Sequence, residues 1–457
     1  MAKKLLRTIA AALLVPVAAN LILLNRIFSK NIMPSEFFLT APAVKVFLTI
    51  LILFLWAALQ VFPFRDKEQA GRRLRILMGG RRLCFLALYG LAVQVLIFLI
   101  FSGLLLKSGI PPAALAVNTV FALVSCFLML WNGILRIFFT STRLRLRMRV
   151  FMILAMWIPL LNLFVLLWAL RMVHAEYDFA CYKDAVRKVR AESGLCKTRY
   201  PLIMVHGIGF RDLRYFNYWG RIPRELTRYG ASVYYGNQEA LGTIIRNAED
   251  IRKKVMEVIR DTGCEKVNII AHSKGGLDSR YAISRLGLAP YVASLTTMST
   301  PHHGCRFVDY AIRLPEGMYR FVSRLFDRTF SRFGDKSPDF YTATHQFSTE
   351  SSRLFNEEVP DCPGVYYQSY ASKMKDCLSD PLLSVPYCMI HPLEGDNDGL
   401  VSTVSAHWGN FRGVIENRHH RGISHGDMID LKREDYRGFD VVECYVKIVS
   451  ELAQKGF

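Results

Sequence analysis

The chain reads as a membrane α-helical bundle followed by an α/β domain. The sheet of that domain is expected to be mostly parallel and flanked by helices, with a helical, lid-like insertion. Three observations lead there. Hydrophobic residues make up 52% of the chain and crowd into the first 175 positions. Positive charge gathers in the short loops between those apolar stretches. After Tyr200, short strand-like runs alternate with segments of helical periodicity, the pattern of parallel strands joined by crossover helices. The expected domains are 1–172 (transmembrane), 173–199 (a polar, helical connector) and 200–457 (the α/β domain, with its insertion at 305–360).

Composition excludes two classes. A disordered chain needs low hydrophobicity and high charge, and only 21% of residues are charged. The net charge of +20 is uneven: residues 1–175 hold 20 Lys+Arg against 3 Asp+Glu, and the remaining 282 residues hold 38 against 35. A nucleic-acid binder carries its basic footprint on a folded domain. Here the excess lies between apolar runs, as membrane topology places it. Nucleic acid is not an expected partner; the bilayer is.

Five apolar runs stand out: Ile9–Leu24, Val46–Phe62, Leu83–Leu106, Ala113–Phe139 and Val150–Leu170. A crossing helix needs about 20 apolar residues, and the last four runs qualify. The first is short, contains Pro16 and competes with a signal-peptide reading, although no small-residue cleavage site is clear. Gln94, Asn118, Asn132 and Asn162 read as interhelical hydrogen-bond formers, and Arg136 can reach the interface from a helix end.

Loop 65–82 carries Arg65, Lys67, Arg72, Arg73, Arg75, Arg81 and Arg82; loop 140–149 carries Arg143, Arg145, Arg147 and Arg149; the 107–112 turn has only Lys107. Short basic loops stay cytoplasmic. The fifth run then carries everything after about residue 172, and so the α/β domain, to the outer side of the cytoplasmic membrane, whether or not the first run spans. The basic stretch Lys183–Arg190 argues mildly against that placement, but large domains translocate largely regardless of charge.

In the second half, Pro201–Val205, Ser232–Tyr235, Val267–Ile270 and Val292–Thr297 read as strands. Ala248, Ile251, Val255, Val258 and Ile259 recur at helical spacing and end at Gly263.

The chemistry concentrates around Val267-Asn-Ile-Ile-Ala-His-Ser273-Lys-Gly-Gly276. A strand runs into a small–x–Ser–x–Gly turn and then a helix. Such a turn exposes a serine hydroxyl, and small neighbours at Ala271 and Gly275 let strand and helix approach closely. The helix N-terminus behind Ser273 favours developing negative charge. Upstream, Val205-His206-Gly207-Ile208-Gly209 ends the first strand, so the N–H groups of Ile208 and Lys274 are candidate oxyanion donors. A base and its orienting acid should follow in the order Ser…Asp/Glu…His. Asp398 and His425 fit that order. Asp396 is the rival acid, and His391, His407, His419 and His420 are further histidines; His272, inside the turn, points away from the base role.

The stretches Val205-His-Gly-Ile, Ala271-His-Ser-Lys-Gly-Gly, Ser299-Thr-Pro-His-His-Gly304, Asn397-Asp-Gly-Leu-Val401 and Ser424-His-Gly-Asp427 resemble the bacterial true lipases of the α/β-hydrolase superfamily, especially lipase-like proteins of Gram-positive bacteria. The resemblance covers about residues 200–457 and none of the apolar half. It implies an α/β-hydrolase fold with Ser273 as nucleophile, Asp398 as acid, His425 as base and Ile208 and Lys274 as oxyanion donors; His206, Gly207 and Gly275 support the motifs. Some relatives bind calcium through an Asp two residues after the His, here Asp427. The neighbouring amide ligand is replaced by Leu431, so no cofactor is expected beyond that calcium candidate.

In the insertion, Arg320, Arg324, Arg328 and Arg332 recur every four residues, with Phe321, Leu325, Phe326, Phe330 and Phe333 on other faces. Such a helix can lie on an anionic membrane or act as a lid. The ten cysteines show no zinc-type spacing, and their pairing is not readable. The expected function is a membrane-anchored serine ester hydrolase acting on acyl esters or lipids. The alternatives are an acyltransferase using the same residues and a non-catalytic membrane sensor or assembly protein. The sequence gives no oligomeric state.

Overall fold

The computed structural model describes residues 2–29, 41–63, 71–107, 109–144, 146–209, 217–313, 315–332, 335–417, 419, 421–436 and 438–457. The expectations for Arg65, Lys67, Arg145, Phe333 and His420 therefore lie outside the described residues. The chain forms two compact units, Met1–Arg187 and Lys188–Phe457.

The first unit is helical: α1 (Ala2–Ala19), α2 (Leu21–Ser29), α3 (Pro42–Val61), α4 (Arg72–Leu96), which continues through Ile97–Phe101 into α5 (Ser102–Lys107), α6 (Pro112–Thr140), α7 (Leu146–Ala155) and α8 (Pro159–Ser193). Four stretches are long and apolar enough to cross a membrane: Pro42–Val61, Arg72–Lys107, Pro112–Thr140 and Pro159–Ser193. The pair α1–α2, bent by 73°, would make a fifth. The bend is held by buried amides. Asn118 accepts from Leu23 N (3.0 Å) and donates to Asn20 (2.8 Å), and Asn20 donates to Pro16 O (2.9 Å). α4 and α6 approach through glycines: a Cβ on Gly80 would stand 2.7 Å from Gly133 O. Such close backbone contact is how helices pack where lipid supplies no hydrophobic drive.

The fifth apolar run departs from expectation. Val150–Leu170 is not one helix but two, broken between Ala155 and Pro159. Proline suits the first turn of a helix, where its missing N–H costs nothing, and fits poorly inside one. After the break α8 returns, and Glu176 accepts hydrogen bonds from Ser141 (2.6 Å) and Thr142 (3.0 Å), next to the start of α7. The break removes the single crossing helix expected at 150–170, while α8 by itself stays long and apolar enough to cross. α8 also continues through most of the expected connector, to Ser193.

The second unit has the α/β-hydrolase fold, with a wholly parallel six-stranded sheet in the order β2-β1-β3-β4-β5-β6. In chain order it comprises β1 (Leu202–Val205), α9 (Ile222–Arg228), β2 (Val233–Tyr235), α10 (Ile244–Thr262), β3 (Val267–His272), α11 (Lys274–Arg285), β4 (Val292–Met298), α12 (Arg306–Ala311), α13 (Glu316–Arg332), α14 (Phe340–His345), α15 (Thr349–Glu358), β5 (Tyr366–Ser372), α16 (Ser384–Glu394), β6 (Asn410–Ile415) and α17 (Val441–Gln454). Strand side chains alternate between faces, so each strand feeds two cores. Leu202, Met204 and Ile270 pack with Trp219 and Tyr445 on one face. Ile203, Val205 and Ile269 pack with Ile251 and Val255 on the other. Covered on both faces, β1, β3 and β4 are buried throughout, as parallel sheets require. That rigid platform sets the positions of the loops at the C-terminal strand ends.

Candidate active site

β3 runs straight into α11, and the single residue between them is Ser273, 7% exposed. Its backbone stands at φ 54, ψ −131, a conformation that costs an L-residue about 1–3 kcal/mol. The packing that compels it is visible at the neighbouring glycines. A Cβ on Gly275 would lie 2.8 Å from Val205 O, and one on Gly207 would lie 2.8 Å from Ser273 Cβ. The end of β1 and the N-terminus of α11 are thus pressed together around Ser273. This brings the Val205–Ile208 turn, with the Ile208 N–H, against the start of α11, where the Lys274 N–H points out of the helix. The amides at the start of α11 and the helix dipole together favour an anion here.

Asp398 is fully buried and receives its partners from several directions. His425 Nδ1 lies 2.9 Å from its Oδ2, and the N–H groups of Leu400 (3.1 Å) and Val401 (2.9 Å) donate to its Oδ1. His425 N also donates to Asp398 O at 2.9 Å, fixing the two loops to one another. Burial works to raise the Asp398 carboxyl, but the charge and hydrogen bond of His425 and the two N–H groups outweigh it, so the group stays below the ordinary carboxylate value. Asp396, the rival acid, sits at the surface and pairs with Lys373 at 3.0 Å.

The His425 ring lies against that of His272, with centroids 4.3 Å apart and planes tilted by 49°, so it stands beside the residue that precedes Ser273. Among the described residues no hydrogen bond joins Ser273 Oγ to His425. His272 is itself fixed by Tyr218, whose hydroxyl lies 2.7 Å from its Nδ1. Burial and the nearby His425 hold the His272 ring well below its ordinary value, and it stays neutral. Three other histidines are engaged elsewhere: His391 with Gly395 O (3.2 Å), His407 against Phe411, and His206 with Gln238 O (3.0 Å).

Sequence reasoning missed two contributors. Ser372, at the end of β5, donates to Asp398 Oδ2 (3.1 Å) and also meets Ser299 Oγ at 2.9 Å. Ser299 has a positive φ of 48, which turns its side chain inward at the end of β4. Tyr218 is the other. Ser372 stands at a carboxyl strand end, where catalytic groups of parallel sheets gather, but Tyr218 lies in the loop between β1 and α9, and neither carries a motif of its own. A further buried network lies under the turn. Lys274 Nζ pairs with Asp278 at 2.6 Å, and Asn247 donates to the second oxygen at 3.0 Å. Burial lowers the Lys274 amine and raises the Asp278 carboxyl to about 6, each opposed by its partner's charge.

The calcium candidate is overturned. Asp427 is 2% exposed, and its oxygens accept from Arg421 (3.0 and 3.1 Å), Tyr436 OH (2.9 Å) and Ser424 N (3.0 Å). A cation there would face a guanidinium, so these residues do not fit calcium. Asp427 instead holds the loop that carries His425.

The insertion folds as α12–α15. On α13 the apolar residues Met318, Phe321, Val322 and Leu325 point outward, with Tyr319 and Phe330 half-buried behind them. The basic stripe is less uniform than expected, because Arg320 pairs with Glu316 at 2.7 Å. Arg324, Arg328 and Arg332 are exposed.

Comparison with known proteins adds the following. The family described as "Putative serine esterase (DUF676)" matches residues 202–322. A triacylglycerol lipase of Vibrio cholerae is 30% identical over 253 residues, covering 48% of this chain and 77% of that protein. Triacylglycerol lipase 2 of Saccharomyces cerevisiae is 28% identical over 270 residues, covering 54% and 77%. Among solved structures, mature lipase BlEst2 of Bacillus licheniformis is similar at 19% identity and a TM-score of 0.41, covering 55% of this chain and 91% of that one.

Proposed function

The chain belongs to the triacylglycerol lipase family of carboxylic-ester hydrolases, and from that premise we propose that it is a membrane-anchored enzyme that cleaves lipid acyl esters through Ser273, His425 and Asp398. In this mechanism the Asp398 carboxylate orients the His425 ring through Nδ1 and leaves Nε2 to accept the Ser273 proton. Rotation of the Ser273 hydroxyl or a small shift on substrate binding closes that contact; catalytic hydrogen bonds are often long in the free enzyme. Ser273 attacks the acyl carbonyl, and the Ile208 and Lys274 N–H groups hold the oxyanion. His425 then protonates the leaving alcohol, and water activated by the same ring releases the acid. Ser372 positions Asp398 from the side opposite its two backbone donors. The apolar helices of the first unit serve as the anchor, and the outward face of α13 meets the lipid surface.

The observation that carries this reading is the buried His425–Asp398 pair, 2.9 Å apart, beside a serine held at positive φ on a strand-to-helix turn. Ser273→Ala in the full chain is the test. It should abolish hydrolysis of a p-nitrophenyl ester and leave thermal unfolding unchanged, and adding His425→Ala should cost little more, because the group acts as a unit. Near wild-type activity in Ser273→Ala would remove Ser273 as nucleophile.

A further inference from the structure

The last apolar segment of the first unit determines on which side of the membrane the catalytic unit stands. α7 starts beside the end of α6: Arg149 donates to Ser141 O at 3.0 Å. Its 10 residues advance only about 15 Å, half of a hydrocarbon core of about 30 Å. The chain then reverses over Met156–Ile158. Ile158 N bonds to Ala155 O at 3.1 Å, and the Asn162 side chain caps Met156 O at 3.5 Å. The tip is apolar and bare, with Trp157 82% and Leu160 84% exposed, as a lipid-facing turn would be. α8 then returns toward the end of α6, and Met148 and Ala155 of α7 share one core cluster with Val165, Ala169 and Val173 of α8, with Leu77 of α4 and with Ile137 of α6.

The return ends at a polar clasp. The Glu176 carboxylate, 3% exposed, accepts from Ser141 Oγ (2.6 Å), Thr142 Oγ1 (3.0 Å) and Arg73 (2.5 Å). Ser141 and Thr142 follow α6 and Arg73 lies in the first turn of α4, so all three stand at the helix ends that carry the basic residues. Residue 176 therefore stands at the face of the bundle from which α7 departed. Short basic loops mark the cytoplasmic face. After α8, no helix among the described residues is long and apolar enough to cross again.

We propose that residues 146–176 form a re-entrant hairpin that enters and leaves the bilayer through its cytoplasmic face, so that the catalytic unit draws its ester substrates from the cytoplasmic leaflet. The hairpin follows from the first unit alone; the leaflet assignment of the substrate rests on the ester-hydrolase reading. The exposed Arg324, Arg328 and Arg332 of α13 suit that leaflet, whose surface potential is negative.

The test uses the full chain in a bacterial host, carrying either green fluorescent protein or alkaline phosphatase after Phe457. The expected result is a fluorescent fusion and a silent phosphatase. In parallel, intact cells are treated with a membrane-impermeant maleimide. Cys388, which is exposed, should react only after permeabilisation. Phosphatase activity, or Cys388 labelling in intact cells, would overturn the hairpin. Ester hydrolysis by the permeabilised cells is read separately: its absence, with Cys388 protected, would count against the catalytic reading and leave the topology standing.

Discussion

Gly275→Ala probes the contact that positions Ser273. The new methyl would meet Val205 O at 2.8 Å, Val205 Cγ1 at 2.9 Å and His206 O. Two of these atoms are backbone, one at the end of buried β1 and one in the residue that follows it, so they have little room to yield. Restoring ordinary separations of about 3.5 Å requires the start of α11 to move roughly half an ångström or more from β1. Overpacking of this kind costs about 1–3 kcal/mol, a fall of several degrees in melting temperature for a unit of this size. The larger effect falls on chemistry, because Ser273 and the Lys274 N–H ride on α11 while Ile208 rides on β1. A displacement near 1 Å costs on the order of 10²-fold in rate. The assay is kcat on a short soluble ester, normalised to active sites titrated with a fluorophosphonate, alongside a thermal melt. Gly317→Ala on α13 is the control, since nothing lies within 4 Å of its would-be Cβ; it should leave kcat alone. Wild-type kcat in Gly275→Ala would refute the claim that the β1–α11 contact sets the oxyanion geometry.

Other outcomes follow from the same geometry. The Asp398 carboxyl is held below its ordinary value, so its contribution to stability is present above an unfolded-state value of about 3.9 and is lost as pH falls further. Asp398→Asn should therefore lower the melting temperature at pH 7, and the gap to wild type should close below about pH 4; a pH-independent gap would contradict this. Changing Arg320, Arg324, Arg328 and Arg332 together to Gln should reduce hydrolysis of long-chain ester in anionic vesicles and spare a short soluble ester, with the vesicle effect shrinking as salt rises. Equal loss on both substrates would make α13 a purely structural helix.

Local features were the most legible. A strand, a small–x–Ser–x–Gly turn and a helix occupy adjacent residues, so the shape around Ser273 could be read directly from Val267–Gly276. The ordering rule put Asp398 and His425 forward, and these two side chains lie within hydrogen-bond distance, whereas Asp396, two residues earlier, faces solvent. Ser372 and Tyr218 left no such mark, because a serine at a strand end or a tyrosine in a loop acquires its role only when distant segments close on it. Hydropathy gave no sign of the break inside Val150–Leu170. An apolar run states that a segment prefers lipid but carries no direction, so a turn inside it is invisible unless Pro159 is weighed as a helix start. The partner that completes the reversal, Glu176, lies 35 positions from Ser141, beyond any local reading. The calcium candidate failed for a similar reason: Arg421, six residues before Asp427, already neutralises the carboxylate.

The central claim, that this ester hydrolase acts through Ser273, is tested most directly by covalent labelling. The full chain in membranes is treated with a fluorophosphonate probe, digested and mapped by mass spectrometry. A single adduct is expected on Ser273, absent in Ser273→Ala and strongly slowed in His425→Ala. A folded, membrane-bound protein that leaves Ser273 unmodified, or carries the adduct on another serine, would contradict it.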